Sequence, residues 1–111
     1  MSEFDEAVAA WRVLPFPPGS TSEPVDELHA DLVLADSWVA ESVIPYIERG
    51  SRKVSNVDVI GRLNEFSTRA TELQESSERP EDRQLLASYR AYIESLLRVY
   101  RAFEKVAIPK V

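Results

Sequence analysis

Apolar residues in the last third of the chain recur at strict 3-4 spacing: Leu86, Tyr89, Ile93, Leu96, Tyr100, Phe103 and Ala107. Positions three and four apart fall on one stripe of a helix, so this is the seam of a helix packed nearly parallel to its neighbours. Beside it a second row, Leu85, Tyr92, Val99 and Val106, repeats every seven residues and widens the apolar face. Pro80 opens the helix, Glu81 and Asp82 suit the positive end of its dipole, and Pro109 closes it.

Two further segments carry the same periodicity. Val25, Leu28, Leu32, Ala35, Val39, Ser42 and Tyr46 form the seam of a helix from about Ser22 to Arg49, with Ser22 as its cap and Gly50 as its stop. Pro45 lies inside it, lacks an amide hydrogen and crowds the carbonyl of Glu41, which predicts a kink or break. From Leu32 to Ile47 this segment is apolar nearly all round, because Val33, Leu34, Trp38 and Ile44 lie off the seam. The third segment, capped by Ser55 or Asn56 after a short link at residues 51–55, carries Val59, Leu63, Phe66, Ala70 and Leu73.

A shorter helix at residues 3–12 places Phe4, Ala7, Val8 and Trp11 on one face, with Ser2 as its cap. The run Leu14-Pro15-Phe16-Pro17-Pro18-Gly19 then enforces an extended connection, which Phe16 pins to the body. No alternation of strand period appears. The predicted fold is all-α: an up-down-up antiparallel bundle of three long helices with the short N-terminal helix packed across it. All 111 residues form one domain, residues 1–24 being the N-terminal helix and connection and residues 25–107 the three-helix core.

Composition narrows the chemistry. With no cysteine there is no disulfide scaffold, thiolate metal site or cysteine nucleophile. Glu3, Asp5 and Glu6 stand where a secretory leader carries basic residues, and no apolar run, neither Ala7 to Trp11 nor Leu32 to Ala35, approaches the length that spans a bilayer. The expectation is a cytoplasmic protein that does not engage membranes.

Net charge is -6, and the acids concentrate early: residues 25–50 carry six acids against Arg49 alone. Such a balance repels phosphate backbones, so nucleic acid is not an expected partner. Arg83, Arg90, Arg98 and Arg101 make a basic flank on the last helix, which reads as a solvated face beside an acidic helix. On a helical wheel Asp36 and Arg90 flank facing seams, and an ion pair between them is expected.

Catalytic constellations do not assemble. A di-iron site in a bundle needs two Glu-x-x-His pairs, whereas His29, with Asp26 three residues before it, is the only histidine and reads as a surface residue among acids. No Gly-x-Ser-x-Gly elbow presents a serine, and three glycines cannot build a phosphate-cradling loop. No metal, cofactor or catalytic residue is assigned.

The excess apolar surface is the more informative feature, since uncovered apolar patches mark partners. Trp38, Tyr92, Leu85 and Val99 are the interface candidates, and Asp26, Asp31, Glu41 and Glu48 form the candidate acidic face. The N-terminal helix with Trp11 and Phe16 is the competing cover for the same surface. The expected function is a non-catalytic interaction module, an adaptor or a neutralising partner of the immunity-protein or antitoxin type. Its partner is a basic protein, a second copy of the chain, or both. The alternative is a ligand-binding bundle or small enzyme with a pocket near Pro45, lined by Tyr46 and Trp38.

Overall fold

The structure is a computed structural model that describes residues 2–50 and 58–107. Those residues are helical or connecting, with no strand among them. Helix α1 spans Glu3–Arg12. Helix α2 spans Glu23–Trp38, passes through a π-helical turn at Val39–Val43, and continues as α3 at Ile44–Arg49. Helices α4, Val59–Ser76, and α5, Pro80–Ala107, complete the chain. Helix α5 packs against α1, α2 and α4, and α2 also packs against α4. No described helix is long and apolar enough to cross a membrane.

Each seam read from the spacing enters a common core. Leu28, Leu32, Leu63, Ala70, Leu86, Tyr89, Ile93 and Leu96 are fully buried, and the contiguous cluster around them draws on α1, α2, the π turn, α4 and α5. The seam residues Leu73 and Tyr46 are only partly buried at its edge. Pro109 and the expected 51–55 link lie outside the described residues.

Pro45 produces a wider turn rather than an open break. An ordinary α-turn aims the proline ring at the carbonyl four residues back. Here the preceding turn is π-helical, and the amide of Ile44 donates to the carbonyl of Val39, five residues back. The insertion shifts the helical register by one position. Ser42 and Val43 consequently both face the core alongside Val39. Gly50 then ends α3 at φ +67°, a left-handed conformation that glycine adopts without a Cβ clash.

The caps follow local chemistry. Ser2 Oγ accepts from the amide of Asp5 at 3.2 Å. The hydroxyl of Ser22 makes no capping bond; its own amide donates to Ser20 Oγ at 3.0 Å. The start of α4 corrects the sequence expectation: Asp58 is the cap, its carboxylate accepting from the amide of Gly61 at 2.9 Å. Ser55 and Asn56 lie outside the described residues. A carboxylate at that position meets both the free amides and the positive dipole end, an advantage over a neutral cap.

Candidate interaction surface

The second apolar row of α5 is an internal surface, which corrects its reading as an interface. Tyr92 and Val99 are 5% and 0% exposed, and Leu85 and Val106 are partly buried against the same cluster. The cover is α1 and the proline-rich connection. Trp11 Nε1 donates to Tyr92 Oη at 3.2 Å, and Tyr92 Oη donates to Asp36 Oδ1 at 2.9 Å, which links α1, α5 and α2. Phe16 meets Tyr92 edge-on with ring centroids 5.1 Å apart. Tyr89 Oη donates to the carbonyl of Pro18 at 2.6 Å and ties down the connection. Farther along α1, Phe4 packs against both Phe103 and Tyr46.

His29 belongs to this cover as well. It is partly buried, edge-on to Phe16 with centroids 5.4 Å apart and tilted over Tyr89 at 6.2 Å. The sequence reading as a surface histidine therefore changes: the apolar connection folds over the ring. Burial pushes the phenols of Tyr89 and Tyr92 up to about 12. For Tyr89 the neighbouring Asp26 charge adds to that effect. For Tyr92 the Trp11 donor opposes it and Asp36 reinforces it. The Tyr100 phenol is pushed up further by burial and by the charges of Glu41 and Asp36.

The expected Asp36–Arg90 pair is absent. Asp36 accepts from Tyr92, and Arg90 Nη1 donates instead to Gln74 Oε1 at 2.8 Å. A wheel reports angle around a helix, not height along it, and Tyr92 is the α5 residue level with Asp36. Arg83 likewise donates to a neutral acceptor, the carbonyl of Ser77 at 2.7 Å, rather than to an acidic helix.

Trp38 is partly buried, stacked on Phe66 with the rings 16° from parallel, and Arg62 lies over it at 5.6 Å. It seals the α2–α4 seam from outside. Of the acidic candidates, Asp31 is bound to Arg69 across the same seam. Asp26, Glu41 and Glu48 are exposed.

Uncovered apolar side chains lie elsewhere: at Val13 and Leu14 after α1, at Ile47 in α3, and as a stripe on the outer face of α2. Val33 and Leu34 are 50% and 58% exposed. Ala30 and Ser37, exposed with them, complete an i, i+3, i+4, i+7 stripe turned away from the core. Ala40 and Glu41 extend the exposed surface into the π turn, and Glu23, Asp26 and Glu27 stand exposed at the other end. Between residues 13 and 48 the chain has seven acids and neither lysine nor arginine. Val33 and Leu34 are legible in the sequence as off-seam residues, as is Trp38, and only the fold separates the exposed pair from the covered aromatic.

Shallow grooves also mark the surface: one of about 410 Å³ lies between α2 and α4, beside Glu27 and Arg69, and two more border α1. One, of about 600 Å³, runs between α1 and α5 and is lined by Ala10, Leu14, Ala91, Ser95, Arg98 and Arg101, together with Glu3 and Glu94. The other, of about 370 Å³, lies beside α3 and is lined by Phe4, Tyr46, Ile47, Gly50 and Val106, with Ser2 and Asp5 at its edge. Among the described residues no three acidic or histidine side chains gather as a metal site. No protein-family model matches this chain, and comparison with curated proteins and with solved structures likewise returned no match.

Proposed function

We propose that this chain is a non-catalytic interaction module that uses the outer face of α2 to hold a basic, apolar partner segment. One observation carries the reading: Val33 and Leu34 stand exposed within a stretch that has seven acids and no lysine or arginine. Apolar side chains at the centre with a charged rim is the anatomy of a protein interface. The acidic rim speeds encounter with a basic partner and helps specify it. An adaptor, or a neutralising protein of the immunity or antitoxin type, works through such a face without chemistry of its own.

The supporting frame is an up-down-up bundle. Asp31 meets Arg69 and Trp38 meets Phe66, pairs that run in opposite order along α2 and α4. His29 meets Tyr89, Asp36 meets Tyr92 and Tyr46 meets Phe103, pairs that run in the same order along α2–α3 and α5. This registry favours parallel α2 and α5 with α4 reversed between them, and leaves the outer face of α2 free.

The test uses a fluorescent amphipathic peptide of leucine and lysine, with a leucine–glutamate peptide as control. The lysine peptide binds, added salt weakens it, and Leu34→Asp lowers affinity at least tenfold. Equal binding of both peptides, or no effect of Leu34→Asp, overturns the proposal. A second reading, a small apolar ligand near Pro45, is favoured by the groove that Tyr46 and Ile47 line beside Phe4. Trp38 takes no part in that groove, and Tyr46 is engaged in edge contacts with Phe4 and Phe103.

A further inference from the structure

The described surface exposes five large apolar residues: Val13, Leu14, Val33, Leu34 and Ile47. Four of them form two adjacent pairs, and the two pairs have rims of opposite sign. Val33 and Leu34 sit among Glu23, Asp26, Glu27 and Glu41. Val13 and Leu14, 79% and 37% exposed, follow Arg12 at the end of α1, and Leu14 lines the α1–α5 groove with Arg98 and Arg101. Arg12, Arg98 and Arg101 have no acidic partner within ion-pair distance among the described residues. Of the two acids in that groove, Glu3 is held by Lys105 at 3.1 Å, leaving Glu94 against the guanidinium groups of Arg98 and Arg101.

We infer that the α1–α5 groove of one molecule receives the outer face of α2 of a second copy. This rests on the reading of α2 as a docking face and names the chemistry that meets it. Ala10, Leu14 and Ala91 supply an apolar floor for Val33 and Leu34. Arg98 and Arg101 on the wall meet the acids at either end of the α2 stripe. A symmetric α2-to-α2 contact is disfavoured, because it brings two acidic rims together with no base between residues 13 and 48. The contact is heterologous, so it closes into a ring or propagates as a chain.

Two half-blocked variants test the contact. Leu34→Asp removes the α2 face and keeps the groove; Leu14→Asp removes the groove and keeps the α2 face. Both residues are exposed, so circular dichroism and Tm should match wild type. In sedimentation at concentrations up to about 1 mM, which reach weak contacts, wild type exceeds the 12.6 kDa monomer mass. Each variant alone remains monomeric, and their mixture forms a one-to-one pair of twice that mass. The double variant Arg98→Glu, Arg101→Glu, also at exposed positions, behaves as Leu14→Asp does. A monomeric wild type overturns the inference, and so does a monomeric mixture. Self-association of Leu14→Asp alone at wild-type strength overturns it in favour of an α2-to-α2 dimer. Binding of the lysine peptide by a strictly monomeric protein separates this failure from failure of the docking face itself.

Discussion

The second row of α5 and the outer row of α2 look alike in sequence and end in opposite environments. Both are apolar residues beside a complete helical seam. Around the α5 row the chain supplies a cover: Trp11, Phe16 and the segment to Pro18, joined by hydrogen bonds to Tyr92 and Tyr89. Around the α2 row it supplies nothing, and Val33 and Leu34 remain half exposed. Surplus apolarity thus has two different uses. One completes the core of the chain that carries it; the other is surface available to another molecule.

The contrast can be broken most strongly at its buried end. Val99→Asp places an unpaired charge where no solvent reaches, and it should cost about 3 kcal/mol or more, enough to abolish cooperative urea unfolding. Removing the cover tests the same claim from the other side. Trp11→Ala should destabilise by about 2–3 kcal/mol through lost packing and the lost hydrogen bond to Tyr92, which keeps its bond to Asp36, whereas Trp11→Phe, which keeps most of the contact, should cost about 1 kcal/mol.

Alkaline titration sharpens the point without mutation. Tyr89 and Tyr92 have folded pKa values of about 12 against 10 in the unfolded chain, so the folded state holds protons that the unfolded state releases. Stability from these phenols is full below pH 10 and is lost as pH rises towards 12. Urea midpoints should fall across that interval, and Tyr92→Phe should flatten the fall. At the exposed end the expected effect is smallest: Val33→Asp and Leu34→Asp should shift stability by no more than about 0.5 kcal/mol. A loss of several kcal/mol at Leu34 would place it inside the core.

Much of the helical framework was legible in the spacing. Every described seam residue from Val25 to Phe103 is buried or packed at the core edge, because an apolar stripe of helical period has no other stable place. The proline predicted a disturbance near residue 45, but not its form. Whether a helix answers a missing amide by breaking or by widening depends on which residues the core accepts, here both Ser42 and Val43. The Asp36–Tyr92 bond was hidden because periodicity carries no axial alignment between helices.

Of the four interface candidates the two large aromatics are both engaged within the chain: the connection covers Tyr92, and Phe66 and Arg62 engage Trp38. Size measures what a side chain gains by burial; it does not say which molecule provides the burial. The acids of α2 carried the more useful signal, since a stretch of one charge sign around uncovered valine and leucine points outward.

Methyl NMR in the presence of a soluble paramagnetic probe tests the contrast most directly, because it reads the exposure of each valine and leucine in one experiment. The account predicts strong broadening of the Val33 and Leu34 methyls and near-complete protection of Val99 and Leu97, which is 2% exposed. Broadening of Val99 as severe as that of Val33 would contradict it, since α1 would then not be the cover of α5.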